Sequence, residues 1–285
     1  MPGTTAADLT AGQIAMVATA RYTYERIAVT ANVFNKMMLG PGEKSKYIPK
    51  FASGGAAQDL QDGVDMTTET ALTITGTVHT TDEAGAKVII TKKLANQLKE
   101  DVFVAAGRIV GNMIGRKIDT DGVGLFSGLD TTVGAGGSVL TLGHMAAAIA
   151  QMLGQSEPVP QPYVMVHHPH SINGIVDQIT VPSATLTFPD ALSLPLLREY
   201  WRGQEKLYGV NIFVDGNITF GTSTNGAMFS PLAFLYLVGW EPENWLEYDN
   251  SLRGWEIGVV ADYLMAEEDG TYGRVMLNEG AAPVA

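Results

Sequence analysis

Three of the five histidines in the chain lie within four consecutive positions, as His167, His168 and His170 around Pro169. They follow Tyr163–Val166, an apolar stretch that is typical of a buried strand. Imidazoles at the end of a strand can bind zinc, so a metal-dependent hydrolase is one alternative function. Adjacent side chains on a strand point to opposite faces, however, and proline prevents the i, i+4 spacing of a helical pair. No carboxylate stands at ligand spacing, and the pattern therefore favours a structural role for these histidines.

Other groups of residues match chemical motifs only in part. The stretch DTDG at 119–122 begins like a calcium loop, but such a loop needs an oxygen ligand at its fifth position, where Val123 stands. Three tryptophans between 240 and 255 lie among acidic residues, as in a sugar-binding cleft, although tryptophans that pack beside strands are a commoner cause. The sequence contains no nucleophile elbow and no phosphate-binding glycine loop. It offers no catalytic constellation.

The composition narrows the class of protein further. The chain has 285 residues, no cysteine and a formal net charge of −12, which argues against a surface that neutralises phosphates throughout. Without cysteine, disulfide scaffolds, thiol catalysis and cysteine-based metal sites are excluded. Charged residues form 17% of the chain, below the roughly 25% of ordinary soluble domains, and contact between copies would explain this. With no basic residue before Arg21 and no long apolar segment, we expect a soluble chain without a membrane partner.

The elements that position these residues can be read from hydrophobic periodicity. The N-terminal 40 residues are predicted to become helical and to stop at Gly40-Pro41-Gly42. Lys44–Phe51 is predicted to be extended and to lie at a sheet edge because of Pro49.

The next stretch, Thr70–Thr80, alternates apolar residues with threonines, which predicts a strand with one apolar and one polar face. Leu72, Ile74 and Val78 form the apolar face. A ribbon of this kind cannot bury its apolar face alone, so it needs a partner surface in this chain or in another.

The strongest helical pattern covers Thr91–Asp119. Its predicted apolar stripe consists of Leu94, Leu98, Val102, Ile109 and Met113, widened by Ala106, Val110, Ile114 and Ile118. Six basic residues oppose three acidic ones in this helix, although the whole chain is acidic.

The rest of the chain alternates helices and strands. Predicted helices cover 141–153, 171–179 and part of 188–199, and predicted strands cover 163–166 and 210–214. Residues 255–265 and 271–277 are predicted to pair as an antiparallel hairpin around Asp269-Gly270. These patterns predict one α+β body with a protruding ribbon and an N-terminal arm.

The order of these pieces resembles that of the major capsid protein of tailed bacteriophages, the Hong Kong 97-type fold. The resemblance rests on loose motifs in collinear order over nearly the whole chain. The matching stretches are AQDLQDGVDM (57–66) for the extended loop, AGAKVIITKKL (84–94) and IDTDGVGLFSG (118–128) for the two ends of the spine helix, YVMVHHPH (163–170) for an axial-domain strand, and YDNSLRG (248–254) with Tyr272-Gly273 for the closing peripheral-domain strands.

The resemblance implies four parts of the fold. They are an N-terminal arm at 1–36, an extended loop at 37–84, a peripheral domain with the spine helix at 85–130 and 241–285, and an axial domain at 131–240. It also implies a non-enzymatic structural protein without a cofactor, which assembles through hexamers and pentamers into an icosahedral shell around phage double-stranded DNA. An encapsulin-type compartment shell, which has a similar fold, is the second alternative.

The resemblance further implies the partners and the location. The first partner is the chain itself, and a portal protein, a scaffolding protein that is separate or absent, and a decoration protein are further candidates. DNA would be packaged without sequence specificity. The protein would be part of the virion capsid after assembly in the bacterial host cytoplasm.

Charge predicts where the extended loop would meet a neighbouring subunit. Residues 41–50 carry three lysines and one glutamate, whereas residues 241–270 carry nine acidic residues and one arginine. Opposite charge would steer the loop, and burial of its apolar residues would supply most of the affinity. The loop residues so predicted are Lys44, Lys46, Tyr47, Ile48, Lys50, Leu72 and Ile74. The acidic partners so predicted are Glu241, Glu243, Glu247, Asp249, Glu267, Glu268 and Asp269.

The basic excess of the long helix has two readings. If the helix lines the inner wall of a shell, Lys92, Lys99 and Arg116 would face packaged DNA in a weak, salt-sensitive contact. Alternatively, these residues form the solvated polar face of an amphipathic helix.

Overall fold

The computed structural model describes residues 28–51, 73–97, 102–180 and 205–282, with a few isolated positions between 52 and 72. Leu72, Lys99, the predicted helical segment at 188–199 and the part of the N-terminal helix before residue 28 lie outside the described residues. Within these ranges, no helix is both long enough and apolar enough to span a bilayer.

The helices and strands have the following bounds. The helices are α1 (Val29–Val33), α2 (Lys92–Gln97), α3 (Val102–Gly124), α4 (Leu142–Leu153) and α5 (Pro169–Thr180). The strands are β1 (Asn35–Met38), β2 (Ser45–Phe51), β3 (Ile74–Thr80), β4 (Asp82–Thr91), β5 (Thr132–Gly134), β6 (Val164–His167), β7 (Glu205–Leu207), β8 (Val210–Val214), β9 (Thr224–Phe229), β10 (Phe234–Asp249), β11 (Gly254–Glu267) and β12 (Gly273–Asn278). Short 3-10 turns at Leu125–Gly128, Pro231–Ala233 and Gly270–Tyr272 connect some of them.

A four-stranded sheet in the order β1-β10-β11-β4 carries the long helix. Strands β10 and β11 form a long antiparallel hairpin, and β4 pairs along the other edge of β11. Helix α3 packs across β11 and β4. The helix therefore lies on one face of this sheet.

The buried face of α3 differs from the predicted stripe. Ala106, Val110 and Ile114 are almost fully buried, whereas Ile109 and Met113 are 50% and 46% exposed. Ala106, Val110, Ile114 and Ile118, four positions apart, form the buried row, although the prediction placed them only at the margin of the stripe. The prediction of the stripe's centre was therefore wrong.

A six-stranded sheet in the order β5-β12-β9-β6-β8-β7 forms the second half of the fold. Its central strand β6 is buried along its whole length, which agrees with its continuous apolar sequence. Helix α4 packs on β5 and β12 and begins with a capping box, in which Thr141 and His144 bond each other's backbone N–H groups.

Two predicted elements are wrong. Residues Asn35–Met38 are not helical but form a strand parallel to β10, because the chain turns extended at the buried Phe34. The predicted hairpin of 255–265 with 271–277 does not form either: β11 pairs with β10 and β4, whereas β12 pairs with β9 and β5. The side chain of Asp269 caps the intervening 3-10 turn, which directs the chain from one sheet to the other.

An aromatic cluster joins the two sheets. The Phe34 ring stacks on Phe234 at 4.7 Å and meets Phe229 edge-on at 5.7 Å, and Phe126 packs against both partners. Phe234 belongs to the four-stranded sheet and Phe229 to the six-stranded one, so the two halves share one core.

The strands of each sheet do not follow the expected division into peripheral and axial domains. Strand β12, from the segment expected to be peripheral, lies in the six-stranded sheet with strands of the expected axial domain. Strand β10 runs without a break across the expected boundary at 240/241. The four-part division remains a proposal.

Candidate assembly interface

The ribbon formed by β2 and β3 has one apolar face that the described residues of its own subunit leave uncovered. In the antiparallel register Tyr47 is opposite Val78 and Phe51 is opposite Ile74. These four side chains share one face, since alternate residues of a strand point the same way. They are between 52% and 61% exposed. The predicted alternation of β3 is confirmed, and the strand contributes Ile74 and Val78 to this outer face.

A glycine shapes the middle of the outer face. The pair between the two aromatic ends of the face is Pro49 and Gly76. A Cβ atom on Gly76 would come within 2.5 Å of the Tyr47 ring, so this ring lies across the glycine. The face is therefore flat as well as apolar, which suits contact with another flat surface.

The opposite face of the ribbon contacts the body of the same chain. Ile48, Lys50 and His79 line a cavity of about 270 Å³ together with Leu232 and Tyr272 of the body. Ile48 thus lies on this inner face, not beside Tyr47. The sequence grouped both residues as one contact set, but neighbouring strand residues point to opposite sides.

Lys50 anchors the inner face through an ion pair with Asp269 of the same chain. Asp269 is 8% exposed, and its Oδ1 accepts hydrogen bonds from the backbone N and the Oγ1 of Thr271. Burial opposes the ionised form of Asp269, but the hydrogen bonds from Lys50 and Thr271 outweigh it and hold the pKa of this carboxyl below its usual value. The predicted attraction between the loop lysines and the acidic region therefore occurs here within one subunit.

The other two loop lysines lie nearer the end of the ribbon that joins the body, where Ser45 pairs with Thr80. Lys44 is exposed in the turn before β2. Lys46 is half-buried, and its Nζ lies 3.4 Å from the carbonyl oxygen of Met38.

The acidic residues predicted as partners fall into two separate places. One group lies on the exposed far half of β10, where Glu243 and Glu247 flank Trp245, and where Glu241 pairs with Lys36 at 2.9 Å. At its end, Asp249 accepts hydrogen bonds from the Ser251 hydroxyl and the backbone N–H groups of Ser251 and Leu252, and these lower its pKa. Asp249 is therefore a turn-forming residue.

The second acidic group lies beside the inner face of the ribbon, close to Lys50. Glu267 and Glu268 are half-buried, and burial raises the pKa of both carboxyls. The charge of Asp269 adds to the shift for each of them, and Asp130 adds to that of Glu267. This group already holds Lys50, so the far half of β10 is the acidic surface that stays open to a partner.

Comparison with known proteins identifies the family. A family model described as phage capsid protein matches residues 74–273, more than half of the chain. The chain belongs to this phage capsid protein family. Among curated proteins, none matches the sequence.

Solved structures share the fold of this capsid protein at low sequence identity. It is similar to a chain of Mycobacterium phage Che8, with 16% identity, a TM-score of 0.62 and coverage of 87% of this chain and 90% of that one. It is similar to a chain from the capsid of Cyanophage P-SCSP1u, with 13% identity, a TM-score of 0.65 and coverage of 88% and 87%. It is also similar to a virus-like particle from Pyrococcus furiosus, with 10% identity, a TM-score of 0.57 and coverage of 92% and 97%.

These findings confirm the fold and the role predicted from the sequence. The chain has the Hong Kong 97-type α+β fold and is a structural, non-enzymatic protein of an icosahedral phage capsid. Copies assemble into the shell, and the protein is located in the virion capsid. The encapsulin alternative has no better support, because the family model is that of phage capsid proteins.

The histidine cluster of the capsid protein has a structural explanation. His167 is fully buried, its Nδ1 accepts the backbone N–H of His168, and its Nε2 donates to the carbonyl of Met276 at 3.1 Å. The ring is therefore neutral, and burial lowers its pKa to about 4. His168 stacks on Phe220, and His170 meets both rings edge-on. In the described part of the chain, no three histidine or acidic side chains are placed to hold a metal ion.

The DTDG stretch lies within helix α3 and is not a calcium loop. Asp119 points inward, where it accepts hydrogen bonds from Thr30 and Asn217. Asp121 pairs with Lys117 at 2.6 Å and accepts a hydrogen bond from the Tyr263 hydroxyl. The helix continues through Gly124, which agrees with the argument against a calcium loop. No local pattern pointed to Thr30 and Asn217, which are 89 and 98 positions away from Asp119.

The two described basic residues predicted to face DNA are on the subunit surface. Lys92 is exposed at the start of α2, and Arg116 is exposed on the solvent side of α3. On the same side of α3 lie the exposed Ile109 and Met113, so this surface is mixed rather than purely basic.

Proposed function

We propose that this capsid protein closes its shell by laying the outer face of the β2–β3 ribbon on a neighbouring subunit. The observation that carries the proposal is the exposed apolar set Tyr47, Phe51, Ile74 and Val78, which no described residue of the same subunit covers. Fully burying one such side chain is worth about 1.5–3 kcal/mol, so four of them can supply most of the affinity of a contact. Contacts of this kind repeat at every subunit of a shell.

The charges of the ribbon would act mainly on encounter and register. Lys44 is exposed, and the open acidic surface of this protein is the far half of β10, with Glu243 and Glu247. Exposed ion pairs contribute only about 0–1 kcal/mol each, whereas opposite surface charge speeds association at low salt. Of the charged residues predicted from the sequence, Lys44, Glu243 and Glu247 support this contact, whereas Lys50 is held by Asp269 of its own subunit.

The proposal extends to the assembly of the whole shell. The subunits would form hexamers and pentamers that close around packaged double-stranded DNA in the host cytoplasm. A portal protein, a scaffolding protein where one is used, and a decoration protein are the further partners. Lys92, Lys99 and Arg116 would contact the DNA without sequence specificity, a contact that salt weakens.

A double variant in the outer face tests the ribbon contact. Tyr47→Ser combined with Val78→Ser removes a directly opposed apolar pair and leaves the inner face unchanged. We expect a folded subunit, by circular dichroism and thermal unfolding, that no longer forms closed shells in electron microscopy. Leu153→Ser, at an apolar residue that is 47% exposed at the end of α4, is the matched control and should still assemble. Normal shells from the double variant would contradict the proposal, and so would loss of its fold, since the face would then belong to the subunit's own core.

A further inference from the structure

Two buried carboxyl groups, Asp119 and Asp215, lie where three parts of the chain meet. Asp119 is fully buried on α3, and Asp215 is 3% exposed directly after β8. Oδ1 of Asp119 accepts hydrogen bonds of 2.9 Å from both the backbone N and the Oγ1 of Thr30 in α1. Its Oδ2 accepts one of 2.7 Å from Nδ2 of Asn217. Asp119 thus joins α1, the long helix and the loop after β8.

Asp215 is satisfied at only one of its two oxygens. Its Oδ1 accepts the backbone N–H of Asn217 at 2.8 Å, whereas its buried Oδ2 meets no donor among the described residues. A buried carboxylate oxygen without a donor is costly. Asn217 bonds both carboxyl groups, through its backbone N–H to Asp215 and through its side-chain amide to Asp119, so the two groups are neighbours. A proton on Asp215 removes the cost, because the protonated group can donate to Asp119.

Among the described residues, the groups that face this pair leave its second negative charge without a counterion. Thr30 from α1 and Asn217 from the loop are neutral. His167, at the end of β6, accepts the backbone N–H of Asp215 at its carbonyl group, and burial keeps its ring uncharged. The charged neighbours of Asp119 on α3, Lys117 and Asp121, pair with each other at 2.6 Å. Burial, followed by the hydrogen bond to Asp119, raises the pKa of Asp215 to about 7.

We propose that Asp119 and Asp215 share one proton in the folded subunit, and that this proton fastens α1 and the loop after β8 to helix α3. Because α1 follows residues 1–27 directly, the same proton fixes the point at which the N-terminal arm joins the body. The junction is then a pH-sensitive lock inside one subunit, separate from the ribbon contact.

The sign of the pH dependence follows from the ionisation of Asp215. When the junction opens, Asp215 enters water and ionises with its ordinary pKa of 3.8. Since the pKa is higher in the closed state, opening releases a proton, and the junction is strongest in acid. The opening constant should rise roughly tenfold per pH unit between about pH 5 and 7 and level off above that range.

Hydrogen–deuterium exchange of the full-length chain tests the lock. After correction for intrinsic exchange rates, protection of residues 28–34 and 215–218 should fall between pH 5 and 7, while protection of α4 stays constant. In Asp215→Asn the side-chain amide donates to Asp119 at every pH, so protection of both segments should not depend on pH. Wild-type protection that is independent of pH, or the same slope in D215N, would overturn the proposal.

A second variant keeps the test decisive if D215N folds poorly. Asp119→Asn removes the competing negative charge and can still accept the hydrogen bonds from Thr30. Asp215 should then ionise at lower pH, which moves the fall in protection to lower pH. A pH profile of D119N identical to that of the wild type would contradict proton sharing.

Discussion

The ammonium group of Lys50 pairs with the carboxylate of Asp269, which stands 219 positions later in the same chain. The pair joins the ribbon to the 3-10 turn between β11 and β12. It therefore holds the inner face of the ribbon against its own subunit while the outer face stays open. The sequence predicts an attraction between the basic loop and the acidic region of a neighbouring subunit. The same kind of attraction also acts within one subunit, where it holds the ribbon in place.

Removal of this pair should loosen the ribbon more than it destabilises the fold. The side chain of Lys50 is 58% exposed, so Lys50→Ala should lower the free energy of unfolding by no more than about 1 kcal/mol. Exchange of the amides in β2 and β3 should nevertheless become faster. Lys44→Ala, at an exposed lysine of the same loop, should change neither quantity. An equal effect of both variants would show that Lys50 acts through the net positive charge of the loop and not through its pair with Asp269.

Charge reversal of the loop should slow assembly, and low salt should make the effect largest. The triple variant K44E/K46E/K50E reverses the charge of the loop, and screening is weakest at low ionic strength. It also removes the pair of Lys50 with Asp269, which the variant Lys50→Ala tests by itself. Light scattering during assembly at two salt concentrations measures this. The variant K92E/K93E/R116E makes the same change in net charge on the helix and should assemble at the wild-type rate. Equal slowing by both variants would point to net charge instead of the ribbon.

Deletion of the ribbon should separate folding from assembly. Replacing 44–78 with a short Gly/Ser linker removes the outer face and Lys50 but leaves the aromatic core intact. We expect a folded subunit that forms no stable closed shell in electron microscopy. An unfolded subunit would show that the inner face of the ribbon is part of the core, and normal shells would show that the ribbon is dispensable.

Acid should destabilise the fold through His167. Its pKa falls to about 4 in the folded protein, so the unfolded chain binds a proton between about pH 6.5 and 4 that the folded chain does not. Stability from this residue is therefore lost as the pH falls through that window. The contribution of Asp215 to the pH dependence of stability has the opposite sign in the same range, because its pKa is raised. Urea unfolding should accordingly show a steeper loss of stability in acid for D215N than for the wild type.

Close packing around Gly226 predicts that a larger residue there lowers the free energy of unfolding. A Cβ on Gly226 would overlap the buried ring of His167, so Gly226→Ala should lower the free energy of unfolding by about 1–3 kcal/mol. Gly124, the last residue of α3, has open space around it. Gly124→Ala should be neutral or stabilise by up to about 1 kcal/mol, since alanine favours the helix. Thermal unfolding of both variants compares them, and equal destabilisation would contradict the packing explanation.

Local patterns were enough to predict the elements, but not all their contacts. The alternation at 70–80 and the long apolar period after Thr91 correctly predicted a ribbon and a helix. The centre of the α3 stripe was misassigned because Ile109 and Met113 have the same spacing as the buried Val110 and Ile114, so the apolar period alone does not show which row the sheet covers. The hairpin after β11 was misassigned because Asp269-Gly270 signals a turn and not the strand that comes to lie beside it.

The sequence also grouped residues by charge where the structure separates them. Glu243 and Asp269 belong to one acidic stretch of the chain, yet Glu243 lies on the exposed half of β10 and Asp269 is buried beside the inner face of the ribbon. Phe51 was missing from the predicted contact set, although its spacing from Tyr47 and Pro49 places it on the same face. The helix was predicted to end at Asp119, whereas it continues to Gly124, and the partners of Asp119 are distant in sequence.

Strand β10 has a mechanical consequence for a closed shell. Its pairing with β11 shifts register twice, between Val238 and Trp240 and between Trp240 and Glu243, while both strands continue on either side. The near half is buried in the core and the far half is exposed. Bulges bend a strand without ending its pairing, so we expect the far half to tilt relative to the core. In the proposed shell of pentamers and hexamers, identical subunits would meet different curvature, and a bend at this point of β10 would let them fit both positions.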